Sequence, residues 1–91
     1  DMENILSIDN LDVDNISMST EINGVITQSG NTKDMIYNVF ETVAYLSKFT
    51  KLSENDIILT GTPSGVENNI IKKGDKVISR LENLTLKFDV I

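Results

Sequence analysis

Apolar and polar residues alternate strictly from Ile16 to Ile22, with Ile16, Met18, Thr20 and Ile22 on one side and Ser17, Ser19 and Glu21 on the other. A period of two is that of a half-buried β-strand. The strand runs into Asn23-Gly24, two residues that both accept positive φ and so mark a tight hairpin turn. The return strand is short, Val25 to Gln28, and Ser29-Gly30-Asn31 ends it. Ahead of this hairpin, residues 1–15 are acidic and asparagine-rich, and read as a surface segment leading into the first strand.

The period then changes. Val39, Val43, Leu46 and Phe49 recur at spacings of three or four, with Phe40, Ala44 and Tyr45 widening the apolar face, which predicts a helix. Asn38 can cap it, and Glu41 three positions later completes an approximate capping box. Ser53-Glu54-Asn55-Asp56 makes a turn, after which Ile57 to Thr60 is expected as a short, fully buried strand. It leads into Gly61-Thr62-Pro63-Ser64-Gly65, a loop with two glycines and the chain's one proline. A second turn, Lys72-Lys73-Gly74-Asp75, precedes a strand from Val77 to Leu81, and Leu84, Leu86, Phe88 and Val90 alternate as a final strand. The pattern is that of a strand-rich α+β chain with one main helix and no internal repeat.

Composition narrows the chemistry. The chain has 91 residues, room for one domain or a piece of one. It has no cysteine, histidine or tryptophan. Disulfides, Ser-His-Asp or Cys-His nucleophiles and a typical zinc site are therefore excluded. A net charge of −6, from 14 acidic and 8 basic residues, disfavours a phosphate backbone, so no nucleic-acid partner is expected. The apolar runs are far too short to span a bilayer, and the acidic start, Asp1-Met2-Glu3-Asn4, does not suit a signal peptide. The expectation is a cytoplasmic protein without membrane contact.

Asp12-Val13-Asp14 invites a metal reading, but on a strand such a pair merely shares one face. Ile16 and Ser17 also stand where an EF-hand needs an oxygen ligand and a glycine, so a solvated face is expected. The stretch from Asp56 to Val66 is more informative. A strand there would deliver the Thr60 hydroxyl and the Gly61 backbone amide to its open end, with Pro63 stiffening the loop beyond. Such a donor pair suits a carboxylate or a developing oxyanion. An ordinary strand end followed by a proline turn is the other reading of the same residues.

Asp56-Ile57-Ile58-Leu59-Thr60-Gly61-Thr62-Pro63-Ser64-Gly65-Val66 resembles the "GD-x-I-x-TGTP-x-GV" signature of the fumarylacetoacetate hydrolase superfamily. The resemblance extends in order on both sides. Ile22 to Gln28 is similar to "VNG-x-x-RQ", Asn31 to Tyr37 to "NT-x-DMI-F", Ala44 to Ser47 to "ELIAYLS", and Lys73 to Val77 to "L-x-x-GD-x-V". It covers residues 12 to 90. Thr27 stands where the family usually has arginine, Phe40 where it has proline, and Asn55 where it has glycine; the family's glycine-containing turn is shortened or replaced around Asn83-Leu84-Thr85.

The resemblance implies the C-terminal part of a catalytic domain with a mixed β-roll fold, and homo-oligomerisation as a dimer. It implies a Mg²⁺- or Mn²⁺-dependent enzyme acting on a small 1,3-dicarbonyl or 2-keto acid by C–C hydrolysis, decarboxylation or isomerisation. The family's metal ligands, a Glu-x-Glu pair and a later Asp, lie upstream of "TGTP" together with an assisting lysine, and nothing in this chain matches them. Thr60 and Gly61 are the residues to which the resemblance gives a substrate-binding role; no catalytic residue or metal ligand is assigned here. Gln28 and Met35 are expected to be structural. The rival expectation is a degenerate, non-catalytic domain that keeps the fold as an oligomerisation or binding module.

Overall fold

β1 spans Ser17–Ile22 and turns through Asn23-Gly24 into β2, Val25–Asn31. Both turn residues have positive φ, 52° and 84°, as a two-residue turn between right-twisted strands requires. The computed structural model describes Asp9 and residues 11–91. The surface segment expected over 1–15 lies largely outside the described residues. Its described end forms a turn in which Asp12 Oδ1 accepts from the Asp14 amide at 3.1 Å, with both aspartates exposed.

β3 covers Lys76–Leu81 and β4 Leu84–Asp89. The four strands form one antiparallel sheet in the order β2-β1-β3-β4. Ile22 lies opposite Val25 on one side and Val77 on the other. Ile22, Val77 and Ile16 are the buried apolar residues among those described. At roughly 1.5–3 kcal/mol each, three such side chains make a small core for a chain of this length. A polar joint around the buried Asp75 reinforces it. Asn23 Nδ2 donates to Asp75 Oδ1 at 2.8 Å, and Asn23 Oδ1 accepts from the Lys76 amide at 2.9 Å. Asp75 Oδ2 accepts from the Lys72 amide, also at 2.9 Å. The hairpin turn and the Lys72–Asp75 turn are thereby tied together.

The helix forms where its cap signals place it. α1 spans Val39–Ser47, with a complete capping box: Asn38 Oδ1 accepts from the Glu41 amide at 2.8 Å and Glu41 Oε1 from the Asn38 amide at 3.1 Å. None of its residues is buried, so its apolar face, including Phe40 and Tyr45, is open.

Two expectations need correction. β2 runs on through Ser29-Gly30-Asn31 rather than stopping at Gln28, because these residues pair with Ser19, Met18 and Ser17 of β1. Residues 57–60 do not form a strand, and Ile57 and Leu59 are 86% and 92% exposed rather than buried. A strand exists only against a neighbour, and among the described residues none lies alongside this stretch. The Cα radius of gyration, 15.0 Å, exceeds the roughly 12 Å of a compact chain of this length, in keeping with so open a structure.

Candidate functional site

Between the far end of β2, the 32–37 segment and the Thr60–Ser64 loop lies a cleft of about 610 Å³. Asn31 and Thr32 fix its first wall. Asn31 Nδ2 donates to Asn15 Oδ1 at 2.9 Å and to Ser17 Oγ at 3.2 Å, and Asn31 Oδ1 accepts from the Lys33 amide at 2.9 Å. Thr32 Oγ1 accepts from the Ile16 amide at 2.8 Å. These contacts start a short 3-10 turn, Thr32–Asp34, beyond which Met35, Ile36 and Tyr37 border the cleft.

The second wall is the loop after residue 60. Thr60 and Gly61 both line the cleft, side by side as the sequence places them. Gly61 has a φ of 86°, a conformation L side chains rarely adopt, and the space where a Cβ would stand is open. Thr60 is exposed, and its hydroxyl makes no hydrogen bond among the described residues. The pair therefore offers a hydroxyl and a backbone amide to whatever enters.

What attaches this loop to the sheet begins as an irregularity in β2. The pairing passes from Thr20 opposite Gln28 to Glu21 opposite Ile26, so Thr27 is an extra residue, a β-bulge. Consecutive strand residues normally point to opposite faces. Here Thr27 and Gln28 both reach Asn69: the Thr27 hydroxyl bonds Asn69 Oδ1, and Asn69 Nδ2 donates to Gln28 Oε1. Gln28 Nε2 then donates to Thr62 Oγ1 at 2.8 Å and to the Pro63 carbonyl at 2.5 Å. Gln28 is only 9% exposed, and no buried side-chain polar atom among the described residues lacks a partner.

Two glycines admit the loop. A Cβ on Gly30 would sit 2.6 Å from Pro63 Cγ, so the proline ring occupies the space a side chain would fill. Gly65, at φ 107°, comes so close to β2 that a Cβ would stand 3.1 Å from the Thr27 carbonyl oxygen. Sequence reasoning singled out Thr60 and Gly61, which the structure puts beside the cleft, and left Gln28 as a structural residue ending a hairpin. The available signal was a long polar amide within a strand.

Metal chemistry does not fit these side chains. No group of three or more aspartates and glutamates among the described residues is arranged to hold a cation. Among the described residues, Asp34 is the one carboxylate beside the cleft. What the arrangement can do is bind an anionic or carbonyl oxygen through neutral donors.

Comparison with known proteins gives this geometry a context. The family model described as fumarylacetoacetate (FAA) hydrolase C-terminal matches residues 3–91. A fumarylacetoacetate hydrolase domain-containing protein 2 homolog from Dictyostelium discoideum is 42% identical over 79 residues, 80% of this chain and 26% of that protein. A mitochondrial oxaloacetate tautomerase from Arabidopsis thaliana is 40% identical over 80 residues, 87% of this chain and 35% of that protein. The chain thus spans about a quarter to a third of the length of these curated relatives. A fumarylacetoacetate hydrolase family protein from Yersinia pestis superposes with a TM-score of 0.84 at 34% identity, over 94% of this chain and 40% of that one. Fumarylpyruvate hydrolase from Pseudomonas aeruginosa, solved with Mn²⁺ and pyruvate, superposes with a TM-score of 0.75 at 28% identity, over 86% of this chain and 33% of that one.

Proposed function

The chain belongs to the fumarylacetoacetate hydrolase family, and from that premise we propose that it is the C-terminal part of a catalytic domain whose substrates are small 1,3-dicarbonyl or 2-keto acids. Its share of the work is binding. The Thr60 hydroxyl and the Gly61 amide donate hydrogen bonds to a substrate carboxylate, or to the oxyanion that develops as a C–C bond is hydrolysed, CO₂ is lost or a double bond migrates. The observation that carries this reading is the pairing of Thr60 and Gly61 on the wall of the 610 Å³ cleft, with the Thr60 hydroxyl unengaged among the described residues. Pre-aimed neutral donors of this kind stabilise developing negative charge and, removed singly, typically cost about 10²–10³ in rate.

A divalent metal belongs to the same proposal. It is Mg²⁺ or Mn²⁺, held by carboxylates outside residues 1–91, and would polarise the substrate's carbonyl oxygens. Nothing in this chain's described residues is assigned to it. A homodimer in the cytoplasm completes the reading, tested by the sedimentation and fractionation of the native protein. The mitochondrial location in some relatives' names belongs to those proteins.

The experiment is Thr60→Val in the native protein, assayed on acylpyruvates and oxaloacetate. Valine keeps the β-branched shape and removes the hydroxyl. If Thr60 serves the oxyanion, kcat falls at least about 10²-fold with KM little changed. If it serves the ground-state carboxylate, KM rises while kcat holds. Unchanged kinetics in a folded variant would sink the assignment and favour a binding or oligomerisation module.

A further inference from the structure

Thr60 and Gly61 are held in place from one side. Upstream, residues 57–60 belong to no helix or strand and make no backbone hydrogen bond among the described residues. Downstream, the loop meets β2 at three points: Pro63 on Gly30, Gly65 on the Thr27 carbonyl, and the Gln28 amide on Thr62 and Pro63. The first two are close packing, which limits approach without fixing orientation. The third is directional.

Gln28 suits that task in a way no other side chain of its size does. Both loop contacts are made by Nε2, and the Pro63 carbonyl can only accept, so the amide nitrogen must face the loop. The amide oxygen faces the other way and accepts from Asn69 Nδ2, while Asn69 Oδ1 is engaged by the Thr27 hydroxyl. Donor and acceptor ends are thereby sorted by their partners. The Thr27 bulge makes this possible, because it brings Thr27 and Gln28 to the same side of β2.

We propose that Gln28, aimed by the Thr27 bulge and oriented by Asn69, is a positioning residue that sets the Thr60–Gly61 donor pair over the cleft. This rests on the substrate-binding reading of that pair. Gln28 does not touch substrate. It acts through Thr62, which adjoins Gly61, and Pro63 next to it, and a displacement of the donors by about 1 Å is enough to cost up to roughly 10²-fold.

The test uses the native protein with three separate substitutions. Gln28→Glu keeps the shape but turns a carboxylate toward the Pro63 carbonyl. Gln28→Met keeps similar volume without polar atoms. Thr62→Val removes one of the two loop acceptors at an exposed position and leaves the buried residue intact. Hydrogen exchange read by mass spectrometry should accelerate in the peptide covering residues 57–65, with β1 and β3 unaffected. In the Gln28 variants kcat/KM should fall about 10- to 10²-fold, with the same parameter affected, kcat or KM, as in Thr60→Val. Thr62→Val should move in the same direction by less. If exchange in 57–65 and the kinetics both stay at the parent's values, the proposal is overturned. Exchange that rises equally across β1 and β3 also overturns it, because Gln28 would then only support the fold. Should the Gln28 variants fail to fold, Thr62→Val decides alone: no change in loop exchange and kinetics ends the proposal. The two readings fail separately. A silent Thr60→Val beside a loosened 57–65 loop removes the substrate assignment, whereas a costly Thr60→Val beside an unmoved loop removes Gln28.

Discussion

At Asp75 a side-chain amide and a backbone N–H converge on one carboxylate from two different turns. The hydrogen bond from Asn23 is the main reason its pKa lies below the ordinary value of 3.8, followed by the Lys72 amide and the Lys72 charge, with burial opposing them. A carboxyl that ionises more readily folded than unfolded adds stability above its unfolded pKa, and that stability is lost as pH falls through the folded value. Asp75→Asn, melted alongside the parent between about pH 6 and pH 2.5, should therefore be the less stable protein at the upper end. The gap between the two should close as the pH drops below 3.8. A gap that stays constant across the range would assign Asp75 a role independent of its charge. The sequence hinted at this joint only as two unrelated turns, because Asn23 and Asp75 are 52 positions apart. By contrast Asn55, standing where relatives of this pattern have glycine, was legible: it takes a φ of 72°, a conformation asparagine tolerates better than most residues.

Elements follow the same division between local and distant causes. α1 and the β1–β2 turn were readable because their determinants sit within four residues of each other. Asn38→Ala should strip the cap and lower stability by about 1 kcal/mol, with the loss of helical signal confined to the first turn of α1. Circular dichroism and chemical denaturation measure both, and an unchanged midpoint would show that the capping box of Asn38 and Glu41 contributes nothing net. The Ser29-Gly30-Asn31 extension of β2 was hidden, since those residue types ordinarily break strands. Gly30 is there because Pro63 needs the space, a contact 33 positions away that no local pattern announces. The 57–60 stretch was misread in the opposite direction. Its four residues, Ile57-Ile58-Leu59-Thr60, have every local property of a buried strand, but pairing depends on a neighbour that local sequence does not supply.

The whole molecule is open. Ile36, Ile57, Leu59 and Ile70 are each more than 80% exposed, and Phe40 and Phe49 on and beyond α1 are more than half exposed. Stable monomers rarely leave so much apolar surface uncovered. Residues 1–91 expressed alone should therefore self-associate in a concentration-dependent way, with β4 and the unpaired 57–60 stretch as ready edges. Sedimentation velocity across a dilution series tests this, and a monodisperse monomer with a cooperative melt would count against it. The architecture around the site was legible in outline, a strand-rich α+β piece with one helix. The cleft's attachment was not, since it depends on contacts from β2 to residues 62–69.

The bulge at Thr27 has a further consequence for descent with modification. A residue that is supernumerary in the ladder is defined by its presence more than by its identity. Thr27 stands where the resembled pattern has arginine, so the identity of this side chain is the less constrained feature. What cannot change freely is the count of residues between the Asn23-Gly24 turn and Gly30. Loss of one would return β2 to even alternation, with the glutamine still opposite Thr20 but with no neighbouring side chain on its own side to share Asn69. Along this strand, spacing therefore carries the Asn69 network, and a gap in an alignment there would signal more than a mismatch.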